Sequence, residues 1–315
     1  MQGIVNQKKR MTSQRKKQLM FIWGWLALPI LSWLIFFLYV NISSVLQAFQ
    51  DVTGKWSLDN FKFFWNSVTG TNGDSGTLKI ALKNTLFFFT IDFFVKFPFQ
   101  LMVAYFLYKK IFGYKIYRYI FYFPVIISNV AMTGVFKEII SPLGVLGELC
   151  REWGIALPKE GLLSNSETVV QTVAVYGIWD SLGAMMLILC GAMVRIPTET
   201  LESGRLDGVG AFREFFQLIL PMIWPTLSTM MLLKLTGILT ASGEIMLLVG
   251  DTASFSLKAH TLSHWIFSKV YASGNHMGGQ YGQVSAAGLS FTLIVAPFIL
   301  FVKWLFTEKI PKVEF

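Results

Sequence analysis

Residues 195–225 read RIPTETLESGRLDGVGAFREFFQLILPMIWP, a charged stretch set between two long apolar segments. It carries too many charges to lie in lipid, yet it is patterned. Pro197 can occupy the first turn of a helix, where its missing N–H costs nothing, and Thr198 or Thr200 can cap that turn. Leu201 and Leu206 then fall on one side, with Glu199, Glu202 and Arg205 on the other. Asp207-Gly208 is a turn signal, because glycine takes a positive φ without a Cβ clash. A second amphipathic run follows, with Phe212, Phe215, Phe216 and Ile219 at helical spacing and Arg213, Glu214 and Gln217 interleaved. Pro221 and Pro225 close it. A solvated loop needs no ordered apolar face, and this stretch has two. The pattern predicts a short helix, a sharp turn and a second helix packed on a membrane surface, with polar side chains offered to a partner.

Composition sets the surroundings of that stretch. Apolar residues make up 54% of the 315-residue chain and charged residues 14%, with 29 phenylalanines. Soluble domains carry about 25% charge, so a soluble globular fold is excluded. The net charge of +9 raises the question of nucleic acid. The basic residues do not form a stripe with interleaved stacking aromatics, however, and gather instead at the ends of apolar runs. That is a topology signal, and nucleic acid is not expected as a partner. Cys150 and Cys190 lie in different segments and give neither a disulfide framework nor metal spacing.

Taken in order, residues 1–18 form a basic tail with Lys8, Lys9, Arg10, Arg15, Lys16 and Lys17. The apolar run of residues 19–41, rich in tryptophan, is long enough to cross a hydrocarbon core of roughly 30 Å, and it lacks a small-x-small cleavage site. Residues 41–77 connect it to a second span over about Leu78–Tyr108. A third is expected over Ile116–Ile140 with a kink at Pro124, followed by a loop at 141–166. A fourth covers Val169–Val194, a fifth Leu218–Val249 and a sixth Ala286–Phe306. The expected fold is thus an all-α integral membrane protein of six transmembrane helices: one N-terminal helix, a core over residues 75–306, the polar loop 195–221 and a short tail at 307–315. Lys and Arg are in excess on the segments that share a side with the N-terminus. Both termini and the 195–221 loop are therefore expected in the cytoplasm.

The loop also resembles the EAA signature of ABC-importer permease subunits. That signature is Glu-Ala-Ala, a glycine after a short spacing, and an aliphatic-x-Leu-Pro ending. Here it reads Glu202-Ser203-Gly204, Asp207-Gly208 and Leu218-Ile219-Leu220-Pro221, with compact Ser and Gly in place of the alanines. Phe121-Tyr122-Phe123-Pro124, Trp179 through Gly183 and Ile196-Pro197 look like the carbohydrate branch of that family. The usual Gly-Gly-Pro after the fifth span is replaced by Val249-Gly250-Asp251-Thr252. The resemblance implies a coupling loop docked on a cytoplasmic ATPase dimer through Glu202, Ser203, Gly204, Asp207, Gly208, Leu220 and Pro221. Phe212 and Phe216 would anchor it to the transmembrane core. It further implies a second, homologous permease subunit, an external solute-binding protein, and ATP and magnesium bound by the ATPase alone.

The chain's own chemistry is consistent with a passive subunit. Gly54-Lys55 is followed by Trp56, so no phosphate loop forms there, and neither H-E-x-x-H nor G-x-S-x-G occurs. His260, His264 and His276 lack an acidic or cysteine companion for a metal. They are expected as solvated loop residues or as contacts to an outer partner. Charges inside spans are costly and are functional candidates by default. Asp92 and Lys96, four apart, can pair on one helix face, and Lys234 is expected to snorkel to the inner surface. Tyr176, Trp179 and Asp180 in the fourth span, and Thr240, Ser242 and Glu244 in the fifth, mix rings, hydroxyls and carboxylates. That mixture suits a sugar, whose C–H faces stack on rings while its hydroxyls need polar partners. Helix–helix packing through small residues is the other reading of both segments.

Overall fold

The computed structural model describes residues 13–51, 53–70, 75–239, 243–271 and 279–306. Apart from an isolated bridge between Gln50 and Trp56, the described residues form helices and turns. The helices are α1 (Gln14–Ala48), α2 (Asp59–Thr69), α3 (Gly76–Tyr108), α4 (Tyr114–Ile126), α5 (Asn129–Ile140), α6 (Val145–Glu152) and α7 (Val169–Val194). They continue with α8 (Thr198–Leu206), α9 (Ala211–Met222), α10 (Trp224–Thr236), α11 (Gly243–Leu248), α12 (Asp251–Ser256), α13 (Leu262–Tyr271) and α14 (Gly279–Trp304). Five stretches are long and apolar enough to cross a membrane, and α9 with α10, bent by 75°, makes a sixth. The chain is an all-α integral membrane protein.

The first helix stands apart energetically. None of its apolar window is buried against the rest of the chain, so lipid or another subunit must cover it. Its last turns reach α14. There, α2 joins α3, α13 and α14 around Phe64, Leu78, Trp265 and Phe291, and the Phe64 and Phe291 rings meet edge to face at 5.1 Å. Asp59 opens α2, and hydrogen bonding to Ser57 together with nearby Lys62 holds its carboxyl below the usual range.

Two prolines shape the helices that matter most. In a regular helix the N–H of Pro98 would bond the carbonyl four residues back, and the ring forbids it. The turn before it widens into a π-turn over Asp92–Lys96, and the Phe97 N–H reaches the Asp92 carbonyl five residues away. Pro221 acts likewise on α9, with a π-turn over Glu214–Ile219 and the Leu220 N–H on the Phe215 carbonyl. Such turns are uncommon and recur at functional sites.

The largest core cluster ties α3, α7, α8, α9 and α10 together through Phe97, Leu107, Met186, Leu189, Leu201, Ile219 and Met230. Helix α4 lies directly on α7, and the close approach depends on Gly183. A Cβ there would stand 2.5 Å from the Phe121 carbonyl oxygen.

Two expected spans differ in detail. The third does not run unbroken from Ile116 to Ile140, and its break falls three residues beyond Pro124. Pro124 sits buried inside α4. The chain becomes extended at Ile127 (φ −86°, ψ 149°) and restarts as a helix at Asn129. The apolar stretch long enough to span there is residues 129–152, which takes in α6 where a loop is expected. The fifth span is broken as well, at the α9–α10 bend and again at a 3₁₀ turn over Gly237–Leu239. The α9–α10 bend falls in apolar sequence and only Ser128 and Asn129 interrupt the apolar run at the third span's break, so hydropathy averaged over a span reads through both. Gly183→Ala should push α4 off α7 and cost about 1–3 kcal/mol, read as a lower melting temperature in mild detergent. An unchanged melting temperature would mean that the two helices tolerate separation.

Candidate functional site: the 195–221 loop and the intramembrane charges

The loop folds as a helix pair. Helix α8 starts at Thr198 directly after Pro197, and no threonine side chain caps it. It ends in a Schellman turn: the Gly208 N–H donates to the Arg205 carbonyl (3.0 Å) and the Val209 N–H to the Gly204 carbonyl (3.0 Å). Gly208 takes φ +75°, as the position after the cap requires. The turn is built from backbone bonds at the glycine the sequence singles out.

One face of the pair is buried and the other is open. Leu201 enters the main core, and a Cβ on Gly204 would meet Leu218 Cδ1 at 2.6 Å, so α8 and α9 touch there. Glu202, Ser203, Asp207 and Gly208 are exposed, while Leu220 and Pro221 are half-buried at the start of the bend. Leu206 does not share Leu201's burial and is 89% exposed.

The anchor to the transmembrane core differs from the expected one. Phe212 and Phe216 pack on each other at 4.6 Å and are 77% and 48% exposed. Phe215, Glu214 and Ile219 turn inward instead. The Phe215 ring lies 4.8 Å from that of Tyr105, whose hydroxyl donates to the Ala211 carbonyl at 3.1 Å. Lys109 Nζ donates to Glu214 Oε1. The π-turn explains the shift, because its wider turn places residues five apart, Glu214 and Ile219, on one face. Three contacts of different chemistry thus fix α9 to the end of α3. Nothing in the sequence pairs Lys109 with Glu214, 105 positions away.

Inside the bundle, Asp92 accepts from two lysines: Lys96 at 3.2 Å on its own helix, and Lys234 on α10 at 2.8 Å. The expected Asp92–Lys96 pair is present. Lys234 does not snorkel, since its side chain is only 11% exposed and is held by Asp92. Two cavities flank this centre. One, of about 440 Å³, is lined by Phe88, Phe89, Asp92, Lys96 and Glu244 among others. The second, of about 480 Å³, lies nearer the end of the bundle that carries the loop and is lined by Gln100, Asp180, Ser181 and Met185. Asn129 and Lys234 line both. Gly177 lies against this centre: a Cβ there would come within 2.6 Å of Glu244 Oε2 and 3.3 Å of Lys96 Nζ.

The structure divides the six pathway candidates. Glu244 and Asp180 each line a cavity. Tyr176 is buried, its hydroxyl donating to Asn129 Oδ1 at 2.7 Å and its ring packed against Phe136 and Trp179, and neither Tyr176 nor Trp179 lines either of these two cavities. Thr240 and Ser242 lie outside the described residues. His260 and His264 are not solvated. Both are buried, with His260 Nε2 2.8 Å from the Thr77 carbonyl and His264 Nδ1 2.9 Å from Ser254 Oγ. Asn84 donates to the Lys258 and His260 carbonyls, which pins this segment to α3. His276 lies outside the described residues.

A bent, proline-broken bundle with an exposed polar helix pair at one end and paired charges in its interior suits a transport subunit. Residues 96–313 match the binding-protein-dependent transport system inner membrane component family, and the chain belongs to it. It is 24% identical to the multiple sugar-binding transport system permease protein MsmF of Streptococcus mutans serotype c, over 89% of this chain and 93% of that one. It is 23% identical to the arabinooligosaccharides transport system permease protein AraP of Bacillus subtilis, over 66% and 65% of the two chains. A bacterial ABC transporter that imports the acidic polysaccharide alginate has a chain of the same fold, with a TM-score of 0.79 and 22% identity over 93% of this chain and 97% of that one.

The Lys109–Glu214 pair gives a direct test of the anchor. Breaking one side leaves a buried charge, so Glu214→Gln and Lys109→Met should each destabilise by up to about 3–5 kcal/mol. The double variant should lose less than their sum. A double-mutant cycle by thermal unfolding in detergent measures this, and strict additivity would mean that the pair does not anchor α9.

Proposed function

We propose that this chain is a transmembrane permease subunit that moves a carbohydrate, an oligosaccharide by preference, across the cytoplasmic membrane with energy from a separate ATPase. The observation that carries the reading is the 195–221 helix pair, with its hydrogen-bonded turn, polar open face and core-anchored inner face. A flexible loop would absorb a push, whereas this pair can transmit one to α3 and α7 through the shared core. Glu202, Ser203 and Asp207 stand where an ATPase surface would meet them, and Gly208 holds the turn between the two helices.

Membership of a binding-protein-dependent transport family supports the remaining parts. The loop end of the bundle is the cytoplasmic end, and both termini lie on that side. A dimer of ATPase subunits holds ATP and magnesium, and this chain hydrolyses none. A second, homologous permease closes the other wall of the pathway, and a solute-binding protein delivers cargo from outside. Rigid-body closure of the ATPases then drives alternating access. Two features favour sugar as cargo. The cavities combine Phe88 and Phe89 rings with Asn129, Asp180, Glu244 and Gln100, which matches stacking faces and hydroxyls. Similar chains include a multiple sugar-binding and an arabinooligosaccharides transport permease.

Two experiments test this. Tagged chain purified in mild detergent from its native cell should bring down a phosphate-loop ATPase and a second multi-span protein, and the associated binding protein should bind sugars in a ligand screen. Recovery of the chain alone, active on an ion gradient without ATP, would overturn the importer reading. Gly208→Val should strain the left-handed position by about 1–2 kcal/mol, leave assembly intact and uncouple ATP hydrolysis from uptake. Full uptake by the assembled variant would remove the hinge role.

A further inference from the structure

We propose, resting on the importer reading above, that Lys96 and Glu244 form a hydroxyl-reading subsite that makes this chain's wall of the pathway selective for uncharged saccharides. The first observation is a gap. Glu244 Oε2 and Lys96 Nζ lie 2.6 Å and 3.3 Å from the point where a Cβ on Gly177 would stand. They are therefore no farther apart than those two distances laid end to end. Yet among the described residues Glu244 makes no ion pair within 4.0 Å. A hydroxyl that accepts from an ammonium and donates to a carboxylate holds the two about 4.6 Å apart, from two bonds of about 2.8 Å at a tetrahedral angle. The window set by the structure includes that width, and Gly177 adds no side chain to fill it.

The second observation is the balance of charge. Asp92, Lys96, Lys234 and Glu244 line one cavity of about 440 Å³. Two carboxylates and two amines sum to zero, and a proton passed between them leaves that sum unchanged. Both lysines are already paired with Asp92, at 3.2 Å and 2.8 Å. A carboxylate on the solute would therefore find no spare cation here, and an unbalanced charge within a span is costly. Asp180 in the neighbouring cavity is a further carboxylate, which tilts the balance further against an anion. A hydroxyl both donates and accepts and needs no counter-ion.

The third observation is what else lines the same cavity. Phe88 and Phe89 give it apolar surface, on which the C–H face of a sugar ring can stack. Asn129 has its amide oxygen occupied by the Tyr176 hydroxyl, which leaves its N–H groups to donate. The volume falls within the roughly 300–1,000 Å³ of small-molecule sites, room for a short saccharide segment.

The test uses the complex of this chain with its partner permease and ATPase, purified from native cells into lipid nanodiscs. The binding protein is omitted, so that its own selectivity does not enter. Binding is read from the shift in thermal unfolding on titration with trisaccharides of glucose, galactose and mannose, and with their counterparts oxidised to uronates at C6. A neutral probe should bind, and its uronate counterpart should bind at least about tenfold more weakly. Lys96→Met leaves Asp92 paired with Lys234 and should weaken the neutral probe about tenfold. Glu244→Gln gives the cavity lining one net positive charge, so the preference for neutral over uronate should shrink about tenfold. A purely structural role for Glu244 would weaken both probes equally and leave that ratio unchanged. Uronates bound as tightly as neutral sugars, no neutral probe bound, or a ratio that survives Glu244→Gln would overturn the subsite. Should one variant fail to assemble, the wild-type preference and the other variant decide. A wild-type preparation with no ATPase subunit would sink the importer reading instead.

Discussion

Water is absent from the hydrocarbon core of a bilayer, and that constraint governs this molecule. Any backbone or side-chain polar group at that depth must find its partner within protein. The constraint accounts for the π-turns at Pro98 and Pro221, where amide hydrogens reach carbonyls five residues back because the usual bond is denied. It accounts equally for Asp92, which holds lysines from two spans. Neither feature would be needed in a soluble helix, where water can satisfy a freed carbonyl or a lone ammonium.

The same constraint links fold to mechanism. A proline-broken helix is bent and locally widened, and it carries charges in places a straight helix could not present them to a cavity. The bend between α9 and α10 sets the polar helix pair across one end of the bundle while its inner face joins the main core. The inner face is continuous with α3, α7 and α10 through packed side chains. Tyr105, Lys109 and Phe215 supply a hydrogen bond, an ion pair and a ring contact across one junction, so the junction resists both sliding and rotation.

The opposite end of the bundle is held differently. The segment carrying His260 and His264 is fastened to α3 by Asn84 and Thr85, with Leu262 N–H donating to Thr85 Oγ1 at 2.9 Å. Thr261 lines the adjoining cavity. The histidines therefore serve as interior polar pins. Their polarity in an otherwise irregular stretch reads as exposure in a sequence, because one-dimensional patterning carries no record of which distant asparagine will cover them.

Much was legible in the sequence alone. Apolar length gives most of the segments long enough to cross a membrane, though not the break at Ile127 that moves the third to residues 129–152. Local backbone chemistry fixes the Gly208 turn, because a left-handed cap favours glycine wherever it occurs. The i, i+4 spacing of Asp92 and Lys96 gives their pair directly. Tertiary structure alone decided the rest. Lys234 joins Asp92 across 142 positions, Glu214 joins Lys109 across 105, and Phe215 rather than Phe212 or Phe216 faces the core. Those outcomes depend on how two helices meet and on how a π-turn rotates one of them. Hydropathy is a sum over neighbours in the chain and contains no term for either.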